Sequence, residues 1–104
     1  MAVTATADKL SSESVRGWLT NRQGWKRRAN RITKEFKFSH FRDSIVFVNR
    51  VASLADSHKH HPAIDVRAGR VTLSLATESA GGITERDLSL AEQIDFATTF
   101  GNHH

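Results

Sequence analysis

Apolar residues follow two rhythms along this chain, one helical and one alternating. Val15, Trp18 and Leu19 fall at i, i+3 and i+4 behind Ser11-Ser12-Glu13-Ser14, a hydroxyl N-cap with an early acid. That pattern predicts a short helix to Thr20, ended by the polar and glycine residues of 21–24. From Trp25 to Phe38 the rhythm alternates. Ile32, Phe36 and Phe38 share one face and Arg31, Thr33 and Lys37 the other, giving two strands with a turn near Asn30. Ser39 is placed to cap a second helix, in which Phe41, Ile45, Val48, Ala52 and Ala55 form one stripe. Val46, Phe47, Val51 and Leu54 widen its apolar surface well beyond that stripe. Asp56 to Pro62 reads as a polar connection in which the proline pushes His61 towards extended backbone. Ile64 to Arg67 and Val71 to Leu75 alternate around Ala68-Gly69, a β-hairpin. Ser79 to Gly82 reads as a flexible loop. Thr84-Glu85-Arg86-Asp87 then opens a last helix with a Thr/Asp variant of the capping box, followed by Leu88, Ala91, Ile94 and Asp95 and running to about Phe100.

The resulting order, α-β-β-α-β-β-α, implies an α+β domain: an antiparallel sheet with helices on one face. Residues 11–100 form this single domain, residues 1–10 a flexible N-terminus, and residues 101–104 a tail. His103-His104 reads as a tag remnant and is set aside. The second helix is apolar over too wide a surface for one sheet to cover, so a second subunit is the expected cover.

A chain of 104 residues with 38% hydrophobic and 25% charged residues has one core and the balance of a globular protein. No apolar run approaches a bilayer span, and the first residues lack the basic start and apolar stretch of a secretory signal. The absence of cysteine excludes disulfides, thiolate metal sites and cysteine catalysis. A cytoplasmic location is expected. The net charge of +4 is unevenly spread: residues 1–50 carry +7 and residues 51–104 carry −3. The basic region, Lys26-Arg27-Arg28 with Arg31, Lys34 and Lys37, suits phosphates or an acidic protein partner. It equally suits a solvated strand edge, where cations discourage aggregation. No nucleic-acid motif accompanies it, so nucleic acid is not the expected partner.

The densest chemistry is Asp56-Ser57-His58-Lys59-His60-His61-Pro62. Histidine moves protons near neutral pH, and adjacent histidines in extended backbone point to opposite sides, so His60 and His61 would have different tasks. A solvated His-rich loop is the plainer alternative. Zinc on His58 and His60 would need a third ligand, from Asp56 or His40, and there is no HExxH helix. Gly81-Gly82 lacks any phosphate-loop pattern and reads as backbone freedom before a helix. Trp18 reads as core, and Trp25 as either core or a stacking surface for a flat heterocycle.

Taken together, several of these segments resemble a known family. Asp56-x-x-x-His60-His61-Pro62, then Thr77-x-x-Ala80-Gly81-Gly82-Ile83-Thr84-Glu85-Arg86-Asp87, then Leu90-Ala91-x-x-Ile94-Asp95 resembles the pterin-4a-carbinolamine dehydratases. Gly24-Trp25, Phe36-x-Phe38, Phe41-Arg42 and Phe47-Val48-Asn49-Arg50-Val51-Ala52 extend the likeness over about residues 10–97. The resemblance implies a four-stranded antiparallel sheet backed by three helices, assembled into dimers or tetramers. It implies dehydration of a 4a-hydroxytetrahydropterin to the quinonoid dihydropterin, a step in tetrahydrobiopterin recycling, with no metal or redox cofactor. By position, His60 would be the principal acid–base residue, His61 its binding and proton-transfer partner, and Asp87 the group orienting the imidazoles. Trp25 and Pro62 would lie near the pterin.

Three positions depart from the family pattern. Ala68 replaces an aromatic, Ala63 stands where bacterial relatives often carry an acid, and Glu78 replaces a third histidine. An ionised glutamate accepts protons but cannot donate them. Were Glu78 close to Asp87, repulsion and burial would keep one of the two carboxyls protonated and able to donate. The alternative reading is a relative without catalysis that serves as a binding protein, of the coactivator or Rubisco-assembly type.

Overall fold

The computed structural model describes residues 8–101, with side chains through residue 98. The expectations for residues 1–7 and for the tail beyond residue 101 lie outside the described residues. In chain order the elements are α1 (Ser12–Thr20), β1 (Lys26–Arg28), β2 (Arg31–Lys37), α2 (Phe41–His58), β3 (Ala63–Arg67), β4 (Arg70–Leu75), a 3-10 turn (Glu78–Ala80) and α3 (Glu85–Gly101). This is the α-β-β-α-β-β-α order of an α+β fold. The four strands lie antiparallel in the order β1-β2-β4-β3.

Strand alternation decides which residues the helices cover. Ile32 opposite Leu75 and Phe36 opposite Val71 place the buried residues of β2 and β4 on one face. Val15 of α1, Phe47 and Val51 of α2, and Leu88, Leu90, Ala91 and Ile94 of α3 fill the core above them. Trp25, Phe36, Phe47 and Phe38 make a chain of tilted and edge-on ring contacts with centroids 4.7–6.3 Å apart. The opposite face of the sheet is open. Lys26, Arg28, Arg31 and Lys37 project there by register, together with Glu35, Asp65, Arg67 and Arg70.

Some local expectations change. Ser11 caps α1, its hydroxyl accepting from the Ser14 amide at 3.1 Å. Ser39 does not cap α2; His40 occupies that position with extended backbone and no side-chain cap bond. Of the stripe Phe41-Ile45-Val48-Ala52-Ala55, Ala55 is buried and Val48 packs part-buried against the core, whereas Phe41, Ile45 and Ala52 are exposed. Ser44, Phe47, Val51 and Ala55 face the core, while Phe41 is 57% and Val46 48% exposed. Ser44 tolerates this burial because its hydroxyl donates to the Phe41 carbonyl. Residues 79–82 are ordered by backbone pairing. Thr77 and Gly82 form a bridge, and Gly81 closes the 3-10 turn at φ 78°, a conformation that suits glycine. Leu10, expected in the flexible N-terminus, donates its amide to the Ile83 carbonyl at 2.8 Å and packs on the core.

Candidate functional site

The α2 helix runs one turn further than its apolar pattern, to His58, and ends in a Schellman cap. Lys59 takes the left-handed conformation (φ 52°, ψ 43°), with the amides of Lys59 and His60 donating to the carbonyls of Asp56 and Ala55. This turn sends the next two side chains apart. His60 points into the protein and is 9% exposed, whereas the His61 side chain is 69% exposed. His61 Nε2 donates to Asp56 Oδ1 at 3.1 Å. His58 belongs to the helix, its Nδ1–H donating to the Leu54 carbonyl at 2.9 Å. It therefore does not share an extended edge with His60, and no group of three possible metal ligands converges among the described residues.

The first turn of α3 meets His60 from the other side. Asp87, completely buried, sets Oδ1 2.5 Å from His60 Nε2. Its Oδ2 accepts from the Thr84 amide and from the Thr77 hydroxyl, each at 2.9 Å. The Thr84–Asp87 contact is the capping box expected from sequence, so one carboxylate both caps α3 and holds the histidine. Four buried groups thus satisfy one another, as polar atoms at this depth must. Arg86 adds a second grip, its guanidinium donating to the Lys59 carbonyl at 2.7 Å. His58, His60, Glu85, Arg86 and Ser89 line a cleft of about 280 Å3 beside this junction.

Not every candidate reaches this place. Glu78 is exposed on the 3-10 turn, and Asp87's hydrogen bonds among the described residues run to His60, Thr77 and Thr84, none of them to Glu78. Trp25 is 4% exposed and is a core residue rather than a stacking surface; its indole donates to Asp95 Oδ2 at 2.9 Å. Asp95 lies two turns beyond Asp87 on α3, about 12 Å along the axis at 1.5 Å per residue. Lys34, on the covered face of β2 between Ile32 and Phe36, completes that second cluster with Nζ 2.8 Å from Asp95 Oδ1. Pro62 is half-buried and leads into β3. Ala68 is exposed in the β3–β4 turn. Sequence reasoning did not single out Thr77, Thr84 and Arg86 as partners of the histidine region. Only Thr84 carried a local signal, its capping box; Thr77 and Arg86 reach their partners through the tertiary fold.

On the far side of α3, Glu92 accepts from Arg22 at 2.8 Å and from the Trp18 indole at 2.9 Å. These bonds, Arg22 first, hold its carboxyl below the ordinary glutamate range against the opposing effect of burial.

The sequence model of the family described as "Pterin 4 alpha carbinolamine dehydratase" matches residues 8–97. Among curated relatives, a chain from Roseiflexus sp. (strain RS-1) is 46% identical over 86% of this chain and 96% of its own length. One from Thermomicrobium roseum is 42% identical over 83% and 92%. Both carry the pterin-4-alpha-carbinolamine dehydratase name. A crystal structure described as a transcriptional coactivator/pterin dehydratase from Brucella melitensis superposes with a TM-score of 0.82 at 30% identity, covering 86% of this chain and 97% of that one. The fold is also that of a pterin dehydratase-like protein described as a RuBisCO assembly factor in the alpha-carboxysome, with a TM-score of 0.62 at 20% identity, over 72% of this chain and 89% of that one.

Proposed function

The chain belongs to the pterin 4 alpha carbinolamine dehydratase family, and from that premise we propose that it dehydrates a 4a-hydroxytetrahydropterin to the quinonoid dihydropterin in tetrahydrobiopterin recycling. The observation that carries this reading is the His60–Asp87 contact, a histidine held at the edge of a cleft by a fully buried carboxylate. The reaction breaks the C4a–oxygen bond, so a proton must reach the departing hydroxyl, and a second proton must leave a pterin ring nitrogen. His60 is suited to be the principal acid–base group because Asp87 fixes its ring and compensates an imidazolium. His61, exposed and steered by Asp56, is suited to bind the substrate and exchange protons with solvent. Pro62 limits the backbone freedom of that pair. Glu78, exposed on the 3-10 turn, contributes at most proton acceptance, and no metal or redox cofactor is needed.

The test is the decay of freshly generated 4a-hydroxytetrahydropterin followed by stopped-flow absorbance. Turnover above the uncatalysed rate is expected, falling at least ~100-fold in His60→Ala, the scale of one acid–base group. Near-normal turnover in His60→Ala would remove that residue from the mechanism. Background decay in the unsubstituted protein would remove the activity.

The apolar surface of α2 left open by Phe41, Ile45 and Val46 supports assembly as a homodimer or homotetramer. A second reading, a non-catalytic binding protein, is favoured by exposed Glu78 and by the open sheet face bearing Lys26, Arg28, Arg31 and Lys37. That face suits an acidic protein segment, and salt-sensitive binding of a poly-glutamate peptide, lost in Arg28→Glu/Arg31→Glu, would support it. No binding at low salt would discard it.

A further inference from the structure

We infer that His60 exchanges protons through Nδ1, and that Thr77 is the positioning residue holding the ring in the Nε2–H form. The argument is a count of donors around Asp87. Oδ2 already receives the Thr84 amide and the Thr77 hydroxyl, both at 2.9 Å, and has no place for a proton of its own. The Thr84 hydroxyl lies 2.8 Å from the Thr77 oxygen but 3.5 Å from Oδ2, so its proton goes to Thr77. Thr77 then has its single proton free for Asp87, while the Thr84 oxygen accepts the Arg86 amide at 3.2 Å. The bonds run in one direction, from Arg86 through Thr84 and Thr77 to Asp87.

With Oδ2 filled, the proton between Oδ1 and His60 must lie on the 2.5 Å line to Nε2. Nδ1 is left as the nitrogen that takes and gives protons. Thr77 is itself fixed, because its backbone pairs with Gly82 through amide–carbonyl bonds of 2.8 and 3.3 Å. It touches no reacting atom and acts through Asp87. The consequence for turnover rests on the proposed dehydratase reading, whereas the tautomer is a property of the free protein.

The experiment is a two-bond proton–nitrogen correlation spectrum of 15N-histidine-labelled, ligand-free protein, recorded at alkaline pH values over which the spectrum no longer changes. His60 signals are identified by their loss in His60→Ala. The unsubstituted protein is expected to show His60 protonated at Nε2 with a bare Nδ1. In Asp87→Asn the amide oxygen takes the two threonine-side donors and its NH2 faces the ring, so the tautomer is expected to invert. Thr77→Val is expected to lower the Nε2–H to Nδ1–H ratio about fivefold, the worth of one ordinary hydrogen bond, and Thr77→Ser to restore it. Protonation at Nδ1 in the unsubstituted protein overturns the inference, as does an unchanged ratio in Thr77→Val. Should Thr77→Val not fold, the unsubstituted and Asp87→Asn spectra decide the tautomer, and Thr77→Ala read in the same way decides the role of Thr77. The expected spectra without dehydratase turnover would sink the proposed activity alone.

Discussion

Replacing Asp87 by alanine should damage stability far more than any exposed carboxylate does. The carboxylate is fully buried and receives the Thr84 amide, the Thr77 hydroxyl and the His60 ring. The Thr77 hydroxyl, which already accepts from Thr84, loses its acceptor, but His60 can change tautomer, so part of the loss is recoverable. The Thr84 amide has no such option, and an unsatisfied buried donor costs about 1–3 kcal/mol. Losing the acid from the first turn of α3 adds about 0.3–1 kcal/mol. These two terms alone come to about 1.3–4 kcal/mol, overlapping the ~3–5 kcal/mol typical of breaking a buried charged pair. Against a whole-domain stability of about 5–15 kcal/mol, that is a large fraction.

Urea unfolding followed by Trp fluorescence would measure it. With m near ~1.5 kcal/mol/M, the midpoint should fall by about 1–2.7 M at constant m. Asp43→Ala is the internal control: Asp43 is likewise a first-turn acid, in α2, but it is exposed and pairs with exposed His40 at 3.5 Å, so the midpoint should move by at most ~1 kcal/mol equivalent. A midpoint shift in Asp87→Ala no larger than in the control would refute the reasoning.

Three further outcomes are expected. Lys59→Gly should raise Tm by a few degrees, because left-handed backbone costs a side-chain-bearing residue about 1 kcal/mol, only partly offset by glycine's freedom when unfolded; turnover should be unchanged, since Arg86 grips the residue-59 carbonyl, and a lower Tm would contradict this. Glu92 has a lowered folded-state pKa, so its contribution is present above the ordinary value of 4.5 and lost as pH falls through the lower folded value. Melting curves between pH 5 and about 2 should therefore show a shallower acid decline in Glu92→Gln, and superimposable slopes would count against it. Sedimentation should find the protein associated, with Phe41→Lys/Val46→Lys shifting it to monomer; a monomer at every concentration would remove the assembly.

Much of the fold is legible because its punctuation is local. Gly69 turns the β3–β4 hairpin at φ 73°, and Ser11 and Thr84 cap their helices through side-chain oxygens one turn away at most. The inward face of α2 was not legible, because that helix is apolar on both sides and periodicity does not say which side meets the sheet. Burial of Ser44 beside exposure of Phe41 runs against hydropathy and is settled only by packing. The divergence of His60 and His61 follows from extended backbone before proline, so that part of the site could be read directly. Its support could not: Thr77 and Arg86 reach the histidine region from distant strand and helix ends. Lys34 shows the same limit, a cation on the covered side of β2 tolerated because Asp95 waits across the gap.

The central pairing of the sheet also sets a timetable. β2 and β4 pair directly, yet partners such as Ile32 and Leu75 are separated by α2 and β3, roughly 40 positions along the chain. Closing that loop costs entropy before any contact compensates, so the β3–β4 hairpin and the helices can form early while the central ladder waits. Thr77 sits just past the end of β4, and Asp87 in the helix that follows. During synthesis, the histidine-bearing turn leaves the ribosome well before the carboxylate that steadies it. The His60–Asp87 contact is therefore made only when the last helix docks.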